Sequence, residues 1–380
     1  MPTQSQDRLT TENATINQMR HTTPNAALAA RATPTDPLVS VIISNYNYGA
    51  YLGDAIRSVQ QQTYRNTEII VVDDGSTDNS RAVIDCFEEQ ITVIFNQHRG
   101  QCAALNTGLA VSHGAIILFL DADDYLVDNA IERLVAPLVD NPAATKVQGA
   151  MIAVDSSGKS LGRKVPGFIS PSGDYKKLTL EVGPWTCRHS WTSGIAWQRW
   201  FLERVFPLPE GSERRNDADG CLNPVATLFG PIISLDEPVA YYRIHGRNIG
   251  PVGEVFTLES LSNRLLRMQH TYDFFLPWAR HFGATSATIE RWRKWKRSWK
   301  SNLTAYVVNL MDSSHPRPSF KEVVFAPLMT GSTSPLKSAG LVAALAVIRI
   351  SPRKLALVFS RRLLRMPNEP RAGNRDIENH

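Results

Sequence analysis

Ala115-Ile-Ile-Leu-Phe-Leu-Asp-Ala-Asp-Asp124 is the stretch around which the chain is organised. Its six apolar residues are too few to span a membrane and read as a buried strand. They run directly into Asp121, Asp123 and Asp124, and three crowded carboxylates repel one another unless a positive group sits among them. A hard divalent cation with oxygen ligands, Mn²⁺ or Mg²⁺, meets that need. Such ions commonly keep one or two protein carboxylates while substrate phosphates supply other ligands. In open α/β sheets, ligands bind beyond the carboxyl ends of the strands. Taken alone, the same acids serve equally well to turn the chain and cap a helix beginning near Asp128. The surrounding sequence has to decide.

Upstream, three shorter units have the same form. Val39-Ser-Val-Ile-Ile43 is a β-branched run, and the turn Asn45-Tyr-Asn-Tyr-Gly49 leads to Leu52, Ala55, Ile56 and Val59, spaced as one face of a helix. Glu68-Ile-Ile-Val-Val72 ends in Asp73-Asp-Gly-Ser-Thr-Asp78 and a helix through Val83, Ile84 and Phe87. Ile91-Thr-Val-Ile-Phe95 is followed by Arg99-Gly-Gln-Cys-Ala-Ala-Leu-Asn106, which opens a further helix. Repeated βα units predict a largely parallel, doubly wound sheet, with function at the strand ends. Asp73, immediately after a strand, is placed to accept hydrogen bonds from a base or ribose, although Asp-Gly-Ser-Thr is also a good turn on its own.

Composition narrows the class. A hydrophobic content of 43% with 20% charged residues describes an ordinary globular protein. The net charge of +5 suits a phosphate-bearing substrate or an anionic membrane surface and is too small to argue for nucleic acid. Cys86, Cys102, Cys187 and Cys221 form no C-x-x-C pair, which argues against a zinc cage or disulfide framework and for a reducing cytoplasmic setting. No apolar h-region follows Met1 and no run of eighteen apolar residues occurs, so neither a secretory signal nor a membrane span is expected. Residues 1–36, rich in Thr, Ser, Asn, Gln and Pro without periodicity, read as a disordered tail.

The run Val39 to Asn47, the strand ending Val72-Asp-Asp-Gly-Ser-Thr-Asp78, the Arg99-Gly-Gln segment with Leu105-Asn106, and Leu120-Asp-Ala-Asp-Asp124 resemble, in that order and spacing, the family 2 inverting glycosyltransferases of the GT-A fold. The likeness covers roughly residues 38 to 250. It departs at Ser44-Asn45, where family members usually carry Pro-Thr. It implies an α/β GT-A fold over 37–250, with a nucleotide-sugar half at 37–127 and an acceptor half at 128–250. It also implies a metal-dependent transferase using a nucleotide-activated sugar, UDP-linked by preference. On this reading Asn45, Tyr46, Asp73, Gly100, Asn106 and Asp121 face the nucleotide sugar, Tyr46 lying near the base and Asp73 on the base or ribose. Asp123 is the preferred metal ligand and Asp124 the competing one.

In the second half Lys146 to Val154 reads as a strand and Asp155-Ser-Ser-Gly158 as a tight turn. The segment from Thr192 to Arg199 resembles the one lying beside the acceptor in the family. Trp185, Trp191 and Trp197 either stack on sugars or, by the safer expectation, fill the core. Asp217 and Asp219 precede a helix through Leu222, Val225 and Leu228. Capping accounts for both acids, while the resemblance makes Asp219, the acid before Gly220, the general base. Two further segments, Ile232 to Glu237 and Pro238 to Gly246, are similar to the family's closing strand and His-Gly-x-Asn element. There Arg243 and His245, beside Arg247 and Asn248, offer positive charge and donors to a departing diphosphate or to the metal.

Beyond residue 250 the likeness fades into a helical, basic extension, 251–380. Trp292, Trp295 and Trp299 recur at helical spacing among lysines and arginines, and Leu341 to Met366 repeats the theme. Docking on the core is the leading expectation for both helices. Peripheral contact with the cytoplasmic membrane face, where family acceptors are often lipid-linked glycans, is the alternative. Two other functions compete with glycosyl transfer. A nucleotidyltransferase would want a basic, Gly-rich loop after the first strand, which Asn45-Tyr-Asn-Tyr-Gly49 lacks. A non-catalytic sugar-nucleotide module would not need the full acidic set.

Overall fold

The computed structural model describes residues 35–210, 218–246, 248 and 258–295. Four strands form its first half: β1 (Val39–Asn45), β2 (Thr67–Asp73), β3 (Thr92–Phe95) and β4 (Ile116–Asp121). They lie parallel in the order β3-β2-β1-β4. Between them run α1 (Gly49–Gln60), α2 (Ser80–Asp85) and α3 (Gln101–Val111). Helices on a parallel sheet bury its strands on both faces. Accordingly Ile116, Ile117, Leu118, Phe119 and Leu120 are at most 1% exposed, each worth about 1.5–3 kcal/mol on burial. Leu52, Ala55, Ile56 and Val59 form the buried face of α1 as their spacing predicts. Gly108 lets α3 lie against β1, because a methyl group there would run into Ile42.

The second half departs from simple winding. After the two-residue β5 (Tyr125–Leu126) and α4 (Ala130–Asp140) come β6 (Lys146–Asp155), β7 (Ser160–Val165), α5 (Lys176–Val182), β8 (Ile195–Gln198), α6 (Arg199–Val205), α7 (Ala218–Phe229) and β9 (Ile232–Ile244). The sheet continues β4-β8-β6-β9-β5, with β7 on β6. β8 runs antiparallel to both β4 and β6, whereas β6 and β9 are parallel. The result is a mixed α/β sheet that is parallel across its first four strands.

Two local expectations are corrected. The helix expected near Asp128 starts at Ala130, and Asn129 at its N-cap accepts from Arg133 Nη1 instead of capping. The two segments expected between Ile232 and Gly246 are one strand, β9. Its register on β6 slips between Gly149↔Leu235 and Met151↔Ala240, so the residues around Pro238, which has no N–H for the ladder, bulge out of the pairing. The turn at Asp155–Gly158 forms as expected, with Gly158 at φ +88° and Asp155 N–H donating to Lys159 O.

The chain divides into two compact units, the first comprising residues 1–248 and 270–284. Within it Trp278 and Phe282, from the end of α8 (Leu258–His281) and the residue after it, meet Phe229 edge-on at 5.4 and 4.9 Å. The second unit contains the beginning of α8 and all of α9 (Ser286–Trp295). The basic residues beyond Trp295, the 341–366 segment and the 1–34 part of the tail lie outside the described residues.

Candidate active site

The carboxyl edge of β1, β2 and β4 carries the acids. Register pairs Asn45 with Asp73 and Ser44 with Asp121, so three adjacent strands end in polar groups at one level. Asn45 Nδ2 donates to Asp73 Oδ2 at 2.7 Å, and Ser76 N–H donates to its Oδ1 at 2.8 Å. Asp73 is therefore a buried acid fixed in orientation at the end of β2. Asp74 does different work: it accepts from the backbone N–H groups of Arg99 (3.0 Å) and Gly100 (2.6 Å) and faces His98 Nδ1 at 3.0 Å. It thereby pins the loop that opens α3. Gly100 takes φ +94° there, a conformation that favours glycine.

His98 had no signal in the sequence, yet its ring lies on Tyr46, with centroids 3.8 Å apart. Tyr46 is 39% exposed, so the pair forms an aromatic step beside Asp73. Asn106, expected on the donor, lies elsewhere. Its amide donates to Leu208 O and Glu210 Oε1 and accepts from Leu208 N–H, binding α3 to the 208–210 segment.

The acidic loop is the centre of the site. Asp121 accepts from Gln101 Nε2 at 2.7 Å. Desolvation, and then the charges of Asp123 and Asp219, push its carboxyl up to about 8. Asp124, deeply buried, accepts from Ser193 Oγ at 2.7 Å and from Arg243 N–H at 3.1 Å, and desolvation with the charges of Asp123 and Asp121 raises it well above the usual carboxylate range. Ser193 also accepts from Asp121 N–H at 3.2 Å, so one hydroxyl between β4 and β8 ties two of the acids. Asp123 presents Oδ2 to His245 Nε2 at 2.9 Å. His245 stacks on Tyr51 with centroids 5.1 Å apart. Its loop turns at Gly246, φ +79°, where Asn248 accepts from His245 N–H and donates to Arg243 O.

This donor set fits a divalent ion that relies on its substrate for further ligands. Among the described residues no three His, Cys, Asp or Glu side chains converge to hold a metal by themselves. Asp123 and His245 are brought together from separate elements, with Asp121 and Asp124, whose carboxyls burial pushes up, in the same loop. Metal binding displaces protons from such groups. Asp124, whose two oxygens are taken by Ser193 and Arg243, is the less available ligand. Arg243, expected to face the diphosphate, is 3% exposed. Its Nε, Nη1 and Nη2 donate to Asp123 O, Ser156 O and Asp54 Oδ2, and its guanidinium lies over the Tyr51 and Tyr125 rings. It braces the acidic loop from within.

Asp219 stands in the first turn of α7. It accepts from Thr192 Oγ1 at 2.9 Å and Thr192 N–H at 3.2 Å, bonds to another segment rather than to its own helix end. Desolvation raises it to about 6, opposed by those bonds and by the charge of Lys146. Asp217 and Arg247 lie outside the described residues. Trp191 meets Tyr242 edge-on at 4.5 Å next to Thr192. Trp197 is buried in the core, and Trp185 is 42% exposed. Gln101, Thr192 and Ser193 lay in segments that the resemblance marked, the Arg99-Gly-Gln motif and the Thr192–Arg199 stretch, but no individual role was expected of them. Lys146 carried a signal that was missed, since a lysine opening a buried strand is unusual.

The mixed sheet gathers acids at the ends of its parallel strands, and comparison with known proteins supplies the family. Residues 40–199 match the family described as Glycosyl transferase family 2, and that segment is a family 2 glycosyltransferase domain with a GT-A-type fold. An uncharacterized glycosyltransferase of Nostoc sp. is 40% identical over 214 residues, 55% of this chain and 66% of that protein. WfgD of Escherichia coli, a UDP-Glc:alpha-D-GlcNAc-diphosphoundecaprenol beta-1,3-glucosyltransferase, is 37% identical over 108 residues, 28% of this chain and 43% of that one. The chain thus spans less than two thirds of either relative. Staphylococcus aureus TarS, solved with UDP-GlcNAc, aligns over 86% of this chain and 90% of its own at 15% identity and a TM-score of 0.47. No helix among the described residues is long and apolar enough to cross a membrane.

Proposed function

We propose that this chain transfers a sugar from a nucleotide-sugar donor, UDP-linked by preference, to an acceptor hydroxyl with inversion at the anomeric carbon. The observation that carries this reading is the juxtaposition of a strand-end acid cluster with Asp219, a single buried carboxylate held by Thr192 and electrostatically coupled to Asp121. Asp73 holds the base or ribose, and the Tyr46–His98 step lies beside it. Asp123 and His245 would hold Mn²⁺ or Mg²⁺, whose charge would offset that of a departing diphosphate. Asp219 accepts the proton of the acceptor hydroxyl as its oxygen attacks, and a carboxyl tuned to about 6 is ionised at neutral pH yet more basic than an ordinary aspartate. The partial likeness to WfgD supports a UDP-sugar donor and a glycan or lipid-linked acceptor in polysaccharide or glycoconjugate synthesis. Peripheral contact with the cytoplasmic membrane face fits that acceptor class.

A thermal-shift screen of UDP-, GDP- and dTDP-sugars, each with and without Mn²⁺, tests the donor assignment, since a ligand bound to the native state raises Tm by mass action. A UDP-sugar shift that requires Mn²⁺ is expected. A shift with GDP- or dTDP-sugars alone would reassign the nucleotide, and no Mn²⁺ dependence would remove the metal from the scheme.

A further inference from the structure

The search for chemistry outside the acidic loop leads to Lys146, the first residue of β6. Its side chain is fully buried, and among the described residues Nζ bonds to Gln148 Oε1 at 2.8 Å, His189 Nδ1 at 3.1 Å and Asn223 Oδ1 at 2.6 Å, none of them a carboxylate. The ammonium also lies 5.3 Å from the centroid of the Trp197 ring. A buried lysine costs stability unless something gains from its charge. Desolvation lowers its pKa to about 7, which measures that cost.

Each partner belongs to a segment that builds the surroundings of Asp219. Asn223 lies one helical turn beyond Asp219 on α7. His189 precedes Thr192, which donates two hydrogen bonds to Asp219. Gln148 Oε1 also accepts from Ser190 N–H at 3.1 Å, and Ser190 Oγ donates to Gly149 O. Lys146 is thus the common donor to the helix that carries the carboxylate and the loop that orients it. The other titratable groups acting on this cluster are Cys187 and His189 on the loop, both held neutral by burial, and Asp121 at the end of β4.

We propose that Lys146 is a positioning residue for the Asp219 base: its buried positive charge keeps the carboxylate ionised, and its three hydrogen bonds fix α7 against the Thr192 loop. The inference rests on the reading of Asp219 as the base. It makes the Asp219 environment a two-charge system, with a cation on the sheet side and the acceptor on the other.

The test is a ¹³C carboxyl NMR titration of Asp-labelled full-length protein, with the Asp219 signal assigned from Asp219→Asn. It compares wild type with Lys146→Met, which removes the charge at similar volume, and with Lys146→Gln, which removes the charge but keeps a polar head for its partners. In both variants the Asp219 midpoint should rise by roughly half a unit to one unit, below the ~1–3 units of a contact ion pair. Nucleotide-sugar binding by thermal shift should stay unchanged. If Lys146→Met fails to fold, Lys146→Gln alone carries the measurement. A midpoint within about 0.2 units of wild type in every folded variant would overturn the proposal and leave Lys146 a packing residue. Failure of the base reading is read separately, as normal turnover in Asp219→Asn with a shifted midpoint in a Lys146 variant, and it overturns the catalytic meaning of the pairing.

Discussion

In the donor half, Asp73 and Asp74 receive backbone amides from Ser76, Arg99 and Gly100, and their charge is spent in shaping two loops. In the acceptor half, Asp219 receives two bonds from one threonine, and desolvation raises it to about 6. Backbone N–H groups favour the ionised form of a carboxylate, whereas burial favours its protonation. The same residue type thus holds two loops in place in the first half and, on the proposed reading, supplies a proton acceptor in the second. The acidic loop stands between them, its acids coupled to one another and to Asp219.

The largest effect should come from breaking the reactive side. Asp219→Asn keeps the shape and most of the bonding but removes the proton acceptor, so kcat should fall by roughly a hundredfold to ten-thousandfold while donor binding barely moves. The wild-type pH profile sharpens the point. A base must be ionised, so kcat/KM should rise with pH and level off above about 6, and this limb should vanish in the variant. Steady-state kinetics with the donor and acceptor found by screening would check both. Near-normal turnover would return the role to Asp217.

Next in size is the boundary between the halves. Asp123→Ala and His245→Ala should each weaken Mn²⁺-dependent donor binding, by on the order of tenfold to a hundredfold, while the fold persists, because neither side chain belongs to the apolar core. Binding measured by calorimetry at fixed donor and varied Mn²⁺ reports this. Unchanged Mn²⁺ dependence in Asp123→Ala would move the ligand to Asp121 or Asp124. Arg243→Met tests the brace. It removes donors to Asp123 O and Ser156 O and leaves the buried Asp123 carbonyl unmet, at about 1–3 kcal/mol, while the exposed Ser156 can turn to water. The Asp54 partner is half exposed, so that ion pair adds little. A Tm unchanged from wild type would argue that Arg243 is free to serve the donor after all.

The donor half was readable because its rules are local. β-branched runs, an acid at each strand end and helical spacing after each turn are all written within about ten residues of one another, and Val39 to Asp124 folds as its pattern implies. The acceptor half is held together by pairings over long separations, which leave no periodic trace. β8 inserts antiparallel between β4 and β6. Ser193 meets Asp124 across 69 residues, and Lys146 meets Asn223 across 77. Arg243 shows the converse failure: its neighbourhood beside His245 suggested a phosphate contact, but its partners Asp54, Asp123 and Ser156 come from elsewhere in the sequence and draw it inside. The Asp219 role came from resemblance, since a helix-start aspartate reads as a cap until Thr192 is seen to hold it.

The smallest predicted effect separates two ties between the halves that look equivalent on a contact map. Asn106 and Arg99 both reach the 208–210 segment that leads toward Asp219. Asn106 makes three hydrogen bonds there, at 2.9, 2.9 and 2.7 Å, two of them with the backbone of Leu208. Arg99 makes one ion pair with Glu210 at 3.0 Å, with both side chains well exposed. Removing Asn106 strands the Leu208 amide and carbonyl, so Asn106→Ala should lower stability by about 1–3 kcal/mol, with little dependence on salt. Exposed ion pairs contribute about 0–1 kcal/mol and are screened over roughly 10 Å at 0.1 M salt. Arg99→Ala should therefore shift Tm slightly at low ionic strength and by nothing measurable at 0.5 M NaCl. Thermal melts of both variants at two salt concentrations compare them directly. A larger, salt-insensitive loss in Arg99→Ala would mean that the 208–210 segment is held by charge, and that the hydrogen bonds of Asn106 are incidental to joining the two halves.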